Sequence, residues 1–159
     1  MMNGVSSRAF APNANLTRGM LVQILYNLEG KPKGTAANFS DVQADAWYAE
    51  AVGWAASNKV VTGYADGTFR PNAAVTREQA AAILYRYAAY WELDVSAEAD
   101  LSAYEDASSV SAYAQAAMQW AVANGVINGT SATTLEPAGT ATRAQAATVL
   151  VRFQNSMKS

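Results

Sequence analysis

The chain has 159 residues, 51% of them hydrophobic, a net charge of −2, no cysteine and no histidine. That length supports one core of ordinary domain size, and the missing residue types remove thiol nucleophiles, imidazole bases, disulfides and the commonest zinc ligands. The eleven Lys and Arg residues form no run, which argues against a nucleic-acid partner, and no window reaches the roughly 18 consecutive apolar residues of a membrane span.

At the N-terminus, Met1-Met2-Asn3-Gly4-Val5 has neither a basic nor an apolar leader region, so any export signal is expected outside this chain. Residues 1–30 read as a partial first repeat, in which Leu16-Thr17-Arg18 opens a helix that continues through Ile24-Leu25-Tyr26. Lys31 to Asn38 reads as a connector. In a second repeat, residues 39–92, Asp45 is placed to cap a helix from about Ala46 to Ser57, with Tyr48, Ala51, Val52 and Ala55 on one stripe and Trp47 and Trp54 beside it. Val60-Val61 suggests a short extended stretch, and Gly63, Asp66-Gly67 and Pro71 supply turn chemistry. Thr76 and Gln79 have capping-box spacing, after which Ala80, Ile83, Leu84, Tyr87 and Trp91 recur at helical period as a core face. Leu93 to Ala103 reads as a second connector. The third repeat, residues 101–155, predicts a helix from about Ser111 to Asn124 ended by Gly125 in a left-handed cap, a second capping box at Thr142 and Gln145, and a core face of Ala146, Val149, Leu150 and Phe153. At the equivalent place in the first repeat, Met20 is expected to break the box.

These segments are copies of one unit. At a shift of 66 positions (Gly63 to Gly129), Trp54 falls on Trp120, Pro71 on Pro137 and Thr76-Arg77 on Thr142-Arg143. At a shift of 59 (Pro12 to Pro71), Phe10-Ala11-Pro12 matches Phe69-Arg70-Pro71 and Ile24-Leu25-Tyr26 matches Ile83-Leu84-Tyr85. Such spacing predicts a repeat architecture, here one mainly α domain over residues 1–159. The first copy lacks the segment that would match Trp47 to Ala56, so the chain is expected to be a fragment of a longer protein or to borrow that helix from another molecule as a homo-oligomer. An arginine opens the second helix of each copy, at Arg18, Arg77 and Arg143. A cation there opposes the helix macrodipole at roughly 0.3–1 kcal/mol, so each placement needs a compensating interaction.

The sequence resembles the S-layer homology (SLH) domain family. The resemblance rests on Phe39-Ser40-Asp41-Val42, Trp47-Tyr48 leading to Trp54-Ala55, the run Val61-Thr62-Gly63-Tyr64-Ala65-Asp66-Gly67-Thr68-Phe69-Arg70-Pro71, and Val75-Thr76-Arg77-Glu78-Gln79-Ala80. The third copy keeps Asp106, Tyr113, Trp120, Asn128-Gly129, Pro137 and Thr142-Arg143, and the first keeps Gly4, Phe10, Pro12 and Thr17-Arg18. The resemblance implies a non-catalytic surface-anchoring module of bacterial cell envelopes, extracellular and at the cell wall, with helix-loop-helix motifs in a pseudo-threefold arrangement. It implies grooves between motifs that bind anionic secondary cell-wall polysaccharide, often carrying pyruvylated N-acetylmannosamine. The family's Thr-Arg-Ala-Glu arginine contacts the acidic sugar, a role that falls on Arg18, Arg77 and Arg143, with Thr62, Gly63, Asn128 and Gly129 nearby. Two departures are visible: the motif's usual glutamate is Met20, Gln79 or Gln145 here, and Asp66-Gly67 becomes Ala132-Thr133 in the third copy.

Each residue has a structural alternative. The arginines could bind a ligand carboxylate bidentately or pair with Asp41 or Asp106. Trp54 and Trp120 could stack on sugar faces, although helices rich in small residues favour packing. Gly63 and Gly129 are read as permitting unusual backbone angles. Tyr85, Tyr87, Tyr90 and Trp91 are read as a packing cluster whose outward members could form a contact patch. Asp66-Gly67 lacks the alternating oxygen ligands of a calcium loop, so no metal or cofactor is expected. As glycosidase carboxylates, Glu50, Glu78, Asp41 and Asp106 do not recur as a close pair, and no activated nucleophile is recognisable, so catalysis is not expected. The alternative function is a protein-interaction or self-assembly module of the cell surface.

Overall fold

The computed structural model describes residues 14–32, 39–64, 66–93, 95–127 and 133–158. Among them are five α-helices: α1 Arg18–Leu28, α2 Ala49–Ser57, α3 Arg77–Tyr90, α4 Gln115–Ala123 and α5 Arg143–Lys158. The fold is mainly α, with α1 packed on α2 and α3 on α4. The first repeat contributes α1 alone among the described residues, since residues 1–13 lie outside them, as do residues 33–38 of the first connector. The second connector is more than a link: it forms a 3-10 turn at Leu101–Ala103, and Leu101 is buried in the core.

Both capping boxes form. The Gln79 N–H donates to Thr76 Oγ1 at 3.2 Å while the Thr76 N–H donates to Gln79 Oε1 at 3.0 Å, and Gln145 and Thr142 repeat the exchange at 3.1 and 2.9 Å. The first repeat departs from expectation, because Met20 does not break the box. Its thioether Sδ accepts the Thr17 N–H at 3.5 Å, and its own N–H donates to Thr17 Oγ1 at 3.1 Å. A sulfur lone pair thus replaces the amide oxygen as a weaker acceptor.

Three other expectations are corrected. α2 starts at Ala49 rather than Ala46, with Tyr48 and not Asp45 at the cap and no side-chain capping bond. α4 starts at Gln115 after a 3-10 turn, Ala112–Ala114, rather than at Ser111. In both places tight turns satisfy the leading backbone donors, as with Ala49 N–H to Ala46 C=O at 3.0 Å and Ala114 N–H to Ser111 C=O at 2.9 Å. Val60-Val61 is not a strand. Lys59 is left-handed (φ 62°) and Val60 donates back to Ala55 C=O at 2.8 Å, which makes Val60 the apolar residue of a Schellman cap. Gly125 (φ 68°) and Val126, donating to Ala121 C=O at 2.8 Å, close α4 in the same way.

What joins the repeats is a closed cycle of backbone hydrogen bonds two residues before each arginine. Leu16 donates to Ala141 at 2.9 Å, Ala141 to Val75 at 3.0 Å, and Val75 to Leu16 at 2.8 Å. Isolated β-bridges flank the cycle at Thr17–Ala74, Thr76–Thr140 and Asn15–Thr142. The first N–H of each long helix then finds a carbonyl in another repeat, with Arg18 donating to Ala73, Arg77 to Gly139 and Arg143 to Ala14 at 2.8–2.9 Å. Orphan helix donors are therefore used as inter-repeat fasteners. Around this cycle Leu16, Leu21, Leu25, Val75, Leu84, Leu135 and Leu150 form the buried core.

Candidate functional site

The site is built around loop residues held from two directions. Asp41 accepts the backbone N–H groups of Phe69 and Arg70, each at 2.8 Å, and Arg18, from the preceding repeat, donates Nε to the Phe69 carbonyl at 2.9 Å. The third repeat does the same. Asp106 accepts from Leu135 at 2.8 Å and Glu136 at 2.7 Å, while Arg77 Nε donates to Leu135 C=O at 2.8 Å. The two aspartates thus hold backbone, and Arg18 reaches carbonyls where a carboxylate had been the structural alternative. Arg18 also lies over the rings of Phe69 and Tyr64, at 4.6 and 5.0 Å. These contacts compensate the helix-dipole penalty with carbonyl and π acceptors. Burial pushes the pKa values of both arginines down from their ordinary range, yet a guanidinium stays charged.

Beside Arg18 opens a groove of about 310 Å³ formed between repeats. Its floor includes Val61, Ala82 and Ile83, and its polar wall includes Thr62, Gln79, Arg86 and Tyr113. Arg18 Nη2 donates to the Thr62 carbonyl and Arg86 Nη1 to the Thr62 hydroxyl, both at a long 3.4 Å. Gln79 Nε2 donates to the Tyr64 hydroxyl at 3.0 Å, so the capping residue of α3 also braces the groove. Two guanidinium groups face the groove, and among the described residues no carboxylate lines it. Arg18 is buried and largely committed to carbonyls and rings, so Arg86, which is half-buried, is the more accessible of the two to an anion.

Of the residues singled out by sequence, this groove brings together Arg18, Thr62 and Gly63. Arg77 belongs elsewhere: its partner loop is that of Leu135, whose Asn128 and Gly129 lie outside the described residues. Arg143 meets the first repeat through its backbone bond to Ala14. Trp54 and Trp120 are buried at 2% and 0% exposure, against Tyr26, Tyr87 and Tyr90 in one case and Tyr85 and Phe153 in the other. They are core residues rather than sugar platforms. Gly63 is not at a positive φ, which corrects its reading as a conformational glycine. A Cβ there would lie 2.8 Å from the Thr68 carbonyl and overlap the Phe39 ring, so its absence lets the loop close.

Among the polar groove residues that sequence reading did not assign to the site are Tyr64, Gln79, Arg86 and Tyr113. Arg86 carries a usable signal, because it stands seven residues after Gln79, on the same face of α3, and falls on Arg152 at the 66-residue shift. Tyr113 comes from the third repeat, and its approach depends on how α3 meets the turn before α4.

The comparisons with known proteins agree with this reading of the repeats. Residues 38–81 and 103–147 match the family model described as S-layer homology domain. The chain is 36% identical over 156 residues to the Surface-layer 125 kDa protein of Lysinibacillus sphaericus, covering 96% of this chain and 13% of that protein. It is 33% identical over 154 residues to the Amylopullulanase of Thermoanaerobacterium thermosulfurigenes, covering 94% of this chain and 8% of that enzyme. It is 29% identical over 91 residues to the Cellulosome-anchoring protein of Acetivibrio thermocellus, covering 54% of this chain and 20% of that protein. The chain therefore spans a small fraction of each relative's length. Its second and third repeats carry the two family matches and the Asp-loop-arginine geometry alike, and the chain belongs to the S-layer homology domain family.

Proposed function

We propose that this chain is a non-catalytic module that holds a bacterial surface protein to the cell wall by binding an anionic, pyruvylated secondary cell-wall polysaccharide in its inter-repeat grooves. The observation that carries the reading is the groove with Arg18 and Arg86 on its wall and, among the described residues, no carboxylate. A pyruvate ketal places a carboxylate on a compact sugar, which suits a guanidinium fork. Thr62 and the Gln79 amide add neutral hydrogen-bonding groups for ring hydroxyls. Arg77 and Arg143 would serve equivalent grooves, and several weak sites on one glycan raise retention through effective concentration.

The carboxylates considered for catalysis are engaged in structure. Glu78 accepts from Ser111 N–H and Oγ at 2.9 and 2.7 Å, Glu50 accepts from the Tyr26 hydroxyl at 3.0 Å, and Asp41 and Asp106 hold loop backbone. That supports binding without turnover, and relatives named as enzymes match over only 8–16% of their length. The names of the surface-layer and cellulosome-anchoring relatives support placement at the cell surface.

The test is calorimetric titration with a pyruvylated wall-glycan fragment and its depyruvylated counterpart, with Arg86→Ala beside the native chain. Binding that needs both the pyruvate and Arg86 is expected. Equal binding of both glycans overturns the anionic assignment, and absence of binding to either by folded protein favours the protein-assembly reading.

A further inference from the structure

At the opposite ends of the long helices from the arginine groove lies a second hollow, of about 560 Å³, walled by Leu28, Tyr87, Trp91, Leu93 and Phe153. It sits where α1 and α3 end and α5 passes. Trp91, expected from helical period to join the core, is instead 55% exposed. Tyr87 packs on Phe153 at 5.8 Å and stacks parallel to Tyr90 at 6.4 Å, and Tyr90 meets Trp91 edge-on at 6.1 Å. Trp91 and Leu28 are thus exposed at the hollow, whereas Tyr87 and Phe153 are buried in its floor.

One charge is built into that surface. Glu29 Oε1 accepts hydrogen bonds from the Tyr87 hydroxyl and, at 2.7 Å, from Trp91 Nε1. Burial and the Glu29 bond push the Tyr87 pKa well above its ordinary range, so the hydroxyl remains a fixed donor. Both donors engage one oxygen, and Oε2 has no hydrogen-bond partner among the described residues. Glu29 is also the C-cap of α1, whose last turn, like that of α3, has no basic residue. A carboxylate at a helix C-terminus opposes the macrodipole. Negative helix ends, a fixed carboxylate and aromatic faces together favour a cation with an apolar stem.

We infer that this hollow docks an arginine or lysine side chain presented by an apolar segment of a partner polypeptide, its cation against Glu29 and its stem across Trp91 and Leu28. The site is independent of the glycan groove and needs none of its residues. It gives the module a second contact surface, suited to a basic segment of a neighbouring protein at the same surface.

The test is NMR titration of the full chain with acetyl-Leu-Arg-Leu-amide and with its citrulline counterpart, which keeps the shape and loses the charge. The indole N–H resonance of Trp91 is the reporter, with Glu29→Gln run alongside as a variant that keeps an oxygen acceptor for Tyr87 and Trp91. The inference expects a saturable shift with the arginine peptide, weakened about fivefold or more by citrulline and by Glu29→Gln. Equal binding of the two peptides, an unchanged response in Glu29→Gln, or no shift up to about 10 mM peptide overturns it. A Trp91 shift that tracks protein concentration without peptide also overturns it, assigning the hollow to a second copy.

Discussion

Arg18 and Arg86 converge on Thr62, one donating to its carbonyl and the other to its hydroxyl, each at 3.4 Å. Their burial separates their roles. Arg18 is 6% exposed and grips the Phe69 carbonyl at 2.9 Å, so Arg18→Ala should destabilise the fold by about 2–4 kcal/mol through an unpaired carbonyl, lost ring contacts and a cavity. Arg86→Ala should change stability by no more than about 0.5 kcal/mol while weakening the proposed glycan complex. Urea unfolding beside calorimetry separates the two effects.

Gly63→Ala should cost about 1–3 kcal/mol, because the new methyl meets the Phe39 ring and the Thr68 carbonyl. That carbonyl accepts the Tyr64 N–H at 2.7 Å, so the loop bearing Thr62 must shift as a unit. Chemical denaturation should report the lost stability, and the chemical shift of the Thr62 amide the displacement.

Glu78 ties α3 to the third repeat. It is 8% exposed and accepts both the N–H and the hydroxyl of Ser111. Removing the carboxylate leaves a partly buried N–H without its acceptor, and Glu78→Ala should lose about 1.5–3 kcal/mol. A Ser111→Ala variant, which removes one of the two bonds, should lose less, and the double variant should fall short of the sum if the two residues act only on each other.

Asp106 predicts a specific acid response. Its carboxylate is held below the usual range first by the Leu135 N–H, with the Glu136 N–H and nearby Arg77 adding to the effect. A pKa lowered on folding contributes stability that is present above the unfolded value, about 3.9, and is lost as pH falls through the folded value below it. Asp106→Asn should therefore melt lower than the native chain at neutral pH and lose less on acidification. Melting temperatures measured from about pH 7 to about pH 2.5 check both statements.

Much of this architecture is legible in the sequence because the repeat states each local rule more than once. Thr76-Gln79 and Thr142-Gln145 mark helix starts by a mechanism that needs only four consecutive residues. The core faces of α3 and α5 follow from helical period, with Trp91 as the exception because the hollow beside it is unfilled among the described residues. The candidate groove was less legible because its parts come from different repeats. The sequence offers Arg18, Arg77 and Arg143 alike as partners for Thr62 and Gly63, whereas the fold supplies Arg18 from the preceding copy. Spacing also cannot distinguish a glycine needed for its φ from one needed for space, and only the Phe39 and Thr68 contacts identify Gly63 as the latter.

The Leu16–Ala141–Val75 hydrogen-bond cycle has an arithmetical consequence. Three units in an open row share two seams, whereas three units joined in a ring share three. Each of the helices opened by Arg18, Arg77 and Arg143 donates its first backbone N–H across a seam, so ring closure gives every one of these helix starts a partner in another repeat. An added fourth unit would have to break the cycle to enter it, so this architecture should be extended by whole rings and not by single motifs.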